Sequence, residues 1–470
     1  MPQNDHFVQL DEGPRTPKKF DEKHERMINA PVEGLVCRLA GPSIATMMIS
    51  ALYNMADTYF VASLGTSAVA GVGVVFPLMA VIQAMGFFFG HGTGNYVSRQ
   101  LGAMHLDNAS KMVATGFVSA LIGGVTFTVL GLAFIRPLAS FLGATETIMP
   151  FAVDYMRFIL IGAPWMTASL TLNNLLRFQG SSFYGMIGMV SGAILNIVLD
   201  PIFIFVLGMG VSGASLATML SQLVGFCLLL AGCRRQGNIR IEPRKFSPSF
   251  AAYREIVRGG TPSLCRQSIA SIATICINRL AGGYGDAAIA AISIVQRVIM
   301  FTNSALVGFG QGFQPVCGFN YGAGRYDRVR RAFGFCVKVG SCALALLGVA
   351  AFIFAPQVIA VFRADDPDVI AIGSLSLRLN CLTFPLMGWV MMNNMMLQTI
   401  GRSLRASALA LSRQGLFLLP ILFFLAPRYG LLGIQLSQPI ADVATFMLSV
   451  PLGVGVLREM SAASKKSQLD

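Results

Sequence analysis

Two carboxylates sit inside long apolar runs of this 470-residue chain. Asp57 lies within Tyr53-Asn54-Met55-Ala56-Asp57-Thr58, and Asp200 within Asn196-Ile197-Val198-Leu199-Asp200-Pro201. Holding such a group in hydrocarbon costs at least ~2.5 kcal/mol, and intramembrane acids usually face a cavity, pair with another group, or carry protons and ions. Tyr53 and Asp57 are four residues apart, as are Asn196 and Asp200, so on helices each pair shares one face. Pro201 removes a backbone donor and frees a carbonyl near Ile197. Thr218, near the start of the next run, supplies a hydroxyl at a similar depth. These groups offer oxygen ligands and protonatable carboxylates, which suit a proton or a hard cation such as Na+. We expect Asp57, Asn196, Asp200 and Thr218 to form a coupling-ion site. The competing reading is that each aspartate merely caps a nearby helix end.

The elements that must position these groups follow from hydropathy. Apolar residues make up 54% of the chain and charged residues 12%, far from soluble composition. Twelve runs of about 20 residues or more recur near 35–62, 68–93, 112–135, 150–174, 183–207, 213–233, 256–281, 287–313, 333–356, 369–397, 407–427 and 431–456. Each is long enough to cross ~30 Å of hydrocarbon. The expected fold is an all-α membrane protein with twelve transmembrane helices.

Those helices fall into two sets. Gly65, Ala68, Gly90, Gly92, Gly102 and Asp107 recur 220 positions later as Gly285, Ala288, Gly310, Gly312, Gly322 and Asp327. The Asn173-Asn174 pair recurs as Asn393-Asn394, and Gly210 and Gly213 as Gly430 and Gly433. A long ungapped repeat in an apolar chain points to a transporter of two lobes around a central site. The acids break the repeat: Asp57 pairs with Ile277 and Asp200 with Pro420. The expected divisions are a disordered cytoplasmic tail over 1–34, a six-helix lobe over 35–233, a linker over 234–255, a second six-helix lobe over 256–457 and a tail over 458–470.

Net charge is +13, from 35 Lys and Arg against 22 Asp and Glu. The excess lies in alternate loops, including Arg234, Arg235, Arg240, Arg244 and Lys245 between the lobes. That pattern places both ends and the linker in the cytoplasm of a multi-pass inner-membrane protein and argues against nucleic-acid binding. Nine scattered cysteines without a CxxC pair read as free thiols. No metal, haem or nucleophilic constellation is visible, so neither an enzyme nor a cofactor is expected.

The stretches "ILNIVLDPIFIF", "YNMADTYFVASLGTSAVAGVG" and "GFGQGFQPVCGFNYGAGRYD" resemble the multidrug and toxic compound extrusion (MATE) family, over nearly the whole chain from Leu35 to about Leu457. The likeness is to bacterial members with an acidic pair in the N-terminal lobe. It implies multidrug efflux of amphipathic cationic or zwitterionic drug-like compounds by antiport with H+ or Na+. Residue by residue, it implies a cation-responsive site at Asp57, Asn196, Asp200 and Thr218, with Tyr53 and Asn173 lining the same cavity and Pro42 at a helix bend.

In the C-terminal lobe this chain departs from relatives that carry acids in helices 7 and 10 for sodium: it has Arg266 and Arg378 there instead, and helix 8 adds Arg297. Either these bond exposed carbonyls and polar neighbours such as Gln296, Asn380 or Asp442, or they form a basic substrate-binding wall facing the acidic lobe. Membrane lipids are the expected surroundings and a monomer the expected state. A flippase for a lipid-linked precursor is the alternative reading. A major-facilitator exporter is disfavoured, because its Gly-x-x-x-Asp-x-x-Gly-Arg loop is missing from 99–111.

Overall fold

The structure is a computed structural model describing residues 18–62, 64–363 and 366–466; the side chains at 18, 19, 54–59, 62, 66, 286 and 466 lie outside the description. Helices run α1 (Lys18–Asn29), α2 (Val32–Ala62), α3 (Thr66–Gly102), α4 (Leu106–Ala133), α5 (Ile135–Phe141), α6 (Met149–Phe178), α7 (Ser182–Pro201) and α8 (Gly210–Cys233). The second half continues with α9 (Phe250–Ala281), α10 (Asp286–Gly322), α11 (Tyr326–Ile353), α12 (Ala355–Ala360), α13 (Pro367–Cys381), α14 (Phe384–Thr399), α15 (Ser403–Leu411), α16 (Leu419–Tyr429) and α17 (Leu431–Lys466). Among the described residues, nine spans are long and apolar enough to cross a membrane on their own. A tenth, α13 with α14, is bent by 54° at the break before Phe384-Pro385. With α6 and α9, the twelve transmembrane helices form two six-helix lobes related by the internal repeat. The apolar run read as one element over 369–397 is thus two helices.

Backbone conformation confirms the repeat. Gly65 and Gly285 open α3 and α10 with φ of 107° and 97°, and Gly210 and Gly430 have φ of 57° and 60°. These left-handed values are reached at low cost only without a Cβ. Large apolar side chains remain exposed on the outside: on α11, Leu346 is 74% and Val349 60% exposed, a face suited to lipid rather than water.

Proline shapes two spans. Pro201 ends α7, and the chain passes into a π-helical turn over Ile202–Val206. In the repeat-related span, a π segment over Ser412–Leu418 precedes Leu419-Pro420, because Pro420 cannot donate to the carbonyl four residues back. Pro42 lies inside α2, which stays helical across it; Thr46 Oγ1 donates to the Pro42 carbonyl at 2.9 Å.

One hydrophobic core spans both lobes on the face that carries the chain ends, joining Val97, Leu101 and Leu172 to Phe313, Phe319 and Leu397. On the opposite face the core divides: Val72, Tyr155 and Ile159 cluster in the first lobe, and Ala281, Ile292 and Leu422 in the second. The lobes are therefore fused on the terminal face and separate beyond it. Glycines permit the close contact. A Cβ added at Gly102 would run into the Phe319 carbonyl oxygen, and one at Gly322 into that of Arg99. These repeat-related glycines cross reciprocally.

The expected disordered tail needs correction from Lys18 onward. α1 docks across the seam: Lys23 Nζ donates to Ser181 Oγ (2.8 Å), the Gly237 carbonyl (3.1 Å) and Asn238 Oδ1 (2.7 Å), all first-lobe or linker groups. From the second lobe, Asn320 Nδ2 donates to the Met27 carbonyl at 3.2 Å and Arg328 to that of Ala30. Met27 is fully buried.

Candidate functional site

Between the lobes lies a cavity of about 880 Å³, lined by Tyr53, Asn196 and Thr218 on one side and by Arg266, Arg297 and Arg413 on the other. Its wall reaches Ile277 and Ile292, near the far ends of α9 and α10, and stops short of the fused terminal face.

The first-lobe wall is built by small residues. A Cβ at Gly225 would stand 3.0 Å from the Gly188 carbonyl, and one at Gly192 would stand 3.1 Å from that of Ser221, so α7 and α8 run in close contact. This brings Asn196 to Thr218. Asn196 Nδ2 donates to Thr218 Oγ1 at 3.3 Å and to Asp200 Oδ1 at 3.1 Å, along the face that the four-residue spacing predicts. All three residues are at most 1% exposed, with Asn196 and Thr218 on the cavity wall. Asn196 Oδ1 makes no described hydrogen bond, and it adds an oxygen acceptor beside the Asp200 carboxyl and the Thr218 hydroxyl. The donor set fits a proton or a hard cation. Tyr53 lines the same cavity on α2; the side chain of Asp57, one turn further on, lies outside the described residues.

Two expected cavity residues are elsewhere. Asn173 packs against α7, where a Cβ at Gly185 would come within 2.9 Å of its amide nitrogen. Arg378 turns outward to α11: its Nε donates to the Phe352 carbonyl at 3.2 Å and its guanidinium lies 5.7 Å from the Phe352 ring. Here bonding of an exposed carbonyl, rather than the basic wall, describes the geometry. Arg266 and Arg297 do line the cavity.

Sequence reasoning missed three groups. Arg413 lies in the apolar run at 407–427, and the rule that flagged Arg266 would have flagged it. Arg177, at the end of α6, is 2% exposed and bridges the lobes. It donates to Gln314 Oε1 of α10 at 3.0 Å, to Asn174 Oδ1, and to His91 Nε2 at 3.2 Å. Because His91 Nε2 accepts, its Nδ1 carries the proton toward the Phe87 carbonyl at 3.2 Å. Arg99 adds a second tie, donating to the Thr399 carbonyl (2.6 Å) and to Glu255 (3.1 Å). Only the fold brings these partners, up to 300 positions apart, together.

Two lobes sealed at one face around a polar-walled cavity define a membrane transporter of the two-lobe type. A profile of the MatE family matches residues 42–202 and 262–424, and the chain belongs to that family. It is 26% identical over 431 residues to the multidrug export protein MepA of Staphylococcus haemolyticus, covering 91% of this chain and 94% of that one. Among solved structures, a MATE transporter in complex with MaL6 superposes with a TM-score of 0.88 at 28% identity, over 94% of this chain and 99% of the other. An outward-facing multidrug-resistance MATE transporter of the MOP superfamily gives 0.88 at 28% identity, over 96% and 100%.

Proposed function

We propose that this chain is a secondary active exporter of amphipathic drug-like compounds, cationic or zwitterionic, working by antiport with H+ or Na+. The observation that carries this reading is the buried Asn196–Asp200–Thr218 cluster on the wall of a cavity sealed at the terminal face. In this reading the termini and linker are cytoplasmic, the membrane is the cell inner membrane, and the functional unit is a monomer. The cavity is then the outward-facing state, the arrangement named for one of the similar solved structures.

The first step is ion entry from outside to the Asp200 carboxyl, with Asp57 as its partner on α2. Neutralising the pair relaxes α2 against α7 and releases the substrate outward. Opening of the terminal face then frees the ion inward and admits substrate. Moving one charge down 100 mV supplies about 2.3 kcal/mol, enough for roughly 50-fold accumulation of a neutral substrate. Reconstituted vesicles, with pH and sodium gradients imposed separately, test the proposal. Efflux should follow one of the two gradients and be lost in Asp200→Asn and Asp57→Asn; gradient-driven efflux at the wild-type rate in both variants would refute it.

A further inference from the structure

The second-lobe wall of the cavity carries a built ion pair whose two members are not equally placed. Asp442 on α17 is buried, its side chain 3% exposed, and it accepts from Arg413 Nε at 2.9 Å and Gln438 Nε2 at 2.7 Å on one oxygen, and from Thr383 Oγ1 at 3.2 Å on the other. Arg413, on the π segment over Ser412–Leu418, is 19% exposed and lines the cavity in front of that carboxylate.

Asp442 takes only the Nε–H of the guanidinium. The four N–H groups at its tip, out of five in all, make no described hydrogen bond. An ion pair serving only to join α17 to the π segment would have no reason to leave that fork unspent at a cavity wall. The surroundings share its sign. Arg266 and Arg297 line the same cavity without a described hydrogen bond or ion pair, and the described lining includes no Asp or Glu. Apolar surface from Met300, Met387, Val390 and Met391 stands on the same side. Thioether and branched side chains of this kind adapt to varied apolar bodies.

We propose that Arg413 anchors an oxyanion of the substrate, a carboxylate on an amphipathic body, and that Asp442 is the positioning residue that holds the guanidinium fork toward the cavity. A guanidinium fork matches a planar carboxylate with two parallel hydrogen bonds. Arg266 and Arg297 strengthen the positive potential that draws the anion in. The assignment rests on the transport reading only in taking the cavity as the substrate site. It shifts the proposed substrate class from cationic toward zwitterionic and anionic amphiphiles, with simple lipophilic cations disfavoured on this wall.

The test is a binding selectivity measured on purified protein in neutral-lipid nanodiscs. The probes are 11-(dansylamino)undecanoic acid and its methyl ester, and the quantity read is the ratio of their dissociation constants within each variant, so that partial loss of folded protein cancels. Wild type should favour the acid. Arg413→Gln should lower that preference about tenfold or more, the scale of charge-assisted hydrogen bonds. Arg413→Lys, which keeps the charge without the fork, and Asp442→Asn, which keeps a hydrogen-bond acceptor without the counter-charge, should each lower it by a smaller factor. A ratio within twofold of wild type in Arg413→Gln overturns the proposal. So does competition by phosphatidylglycerol as strong as that of the acid, which would assign the anion site to a lipid headgroup. Failure of gradient-driven efflux in wild-type vesicles would instead remove the transport reading and leave the binding ratio intact.

Discussion

The two lobes share a backbone plan but hold the buried acids behind their cavity walls differently. In the first lobe Asp200 takes its described hydrogen bond from a neutral amide, Asn196, which also touches Thr218. In the second, Asp442 is met by a guanidinium as well as an amide and a hydroxyl. The described donors differ in kind: an amide for Asp200, and for Asp442 a guanidinium that compensates its charge in place. Duplication therefore supplied two similar scaffolds that polar substitutions at unmatched positions made different; under the proposed function the first responds to the ion and the second anchors the substrate. Gln438 shows how closely the positions correspond, since it is the repeat counterpart of Thr218.

The largest effect that could break this comparison comes from exchanging the two acids' loss. Asp200→Asn should collapse the roughly 50-fold accumulation supported by 100 mV to none, whereas Asp442→Asn should keep its response to the gradient. Equal loss in both, measured as efflux from energised vesicles, would merge the lobes' roles.

Next come the reciprocal glycines. Gly102→Val and Gly322→Val each force a side chain against an opposing backbone carbonyl across the seam and should weaken the sealed state by about 1–3 kcal/mol. Cys317, fully buried on the terminal half of α10, should then react with maleimide when labelling is mapped by mass spectrometry. If only one glycine mattered, the seam would not be the symmetric hinge that the repeat implies.

A smaller change is expected from Gln314→Leu, which removes the second-lobe acceptor of the buried Arg177 guanidinium. It should cost the seal about 1 kcal/mol or more and raise the same Cys317 labelling less than either glycine variant does.

The last effect is confined to α1. Burial first, and Arg26 second, lower the Lys23 ammonium from 10.5 to about 7 in the docked helix. Undocked Lys23 keeps its proton up to pH 10.5, so between about pH 7 and 10.5 the undocked state binds more protons and docking strengthens as pH rises; below about 7 this contribution is flat. Hydrogen exchange of the 18–29 amides should slow progressively from pH 7 to 9 once corrected for the intrinsic rate, and Lys23→Met should remove the trend.

The amino-acid sequence by itself determined the twelve runs, the 220-residue repeat and the Asn196–Asp200 pair. Each depends on local rules: run length against hydrocarbon thickness, glycine at positive φ, and the four-residue spacing that puts Asn196 and Asp200 on one face. It did not determine which way the second-lobe arginines point. Arg378 and Arg413 both sit in apolar spans, yet one meets the Phe352 carbonyl on α11 and the other lines the cavity. A membrane helix is apolar toward lipid and toward its neighbours alike, so its sequence carries little amphipathic period to orient it. Orientation is settled by helix–helix contact, at Gly348 of α11 against the Cys381 carbonyl of α13 and in the π segment before Pro420. Docking of α1 was decided the same way. Its polar composition reads as a tail, and only the assembled seam presents the Ser181, Gly237 and Asn238 acceptors that hold Lys23.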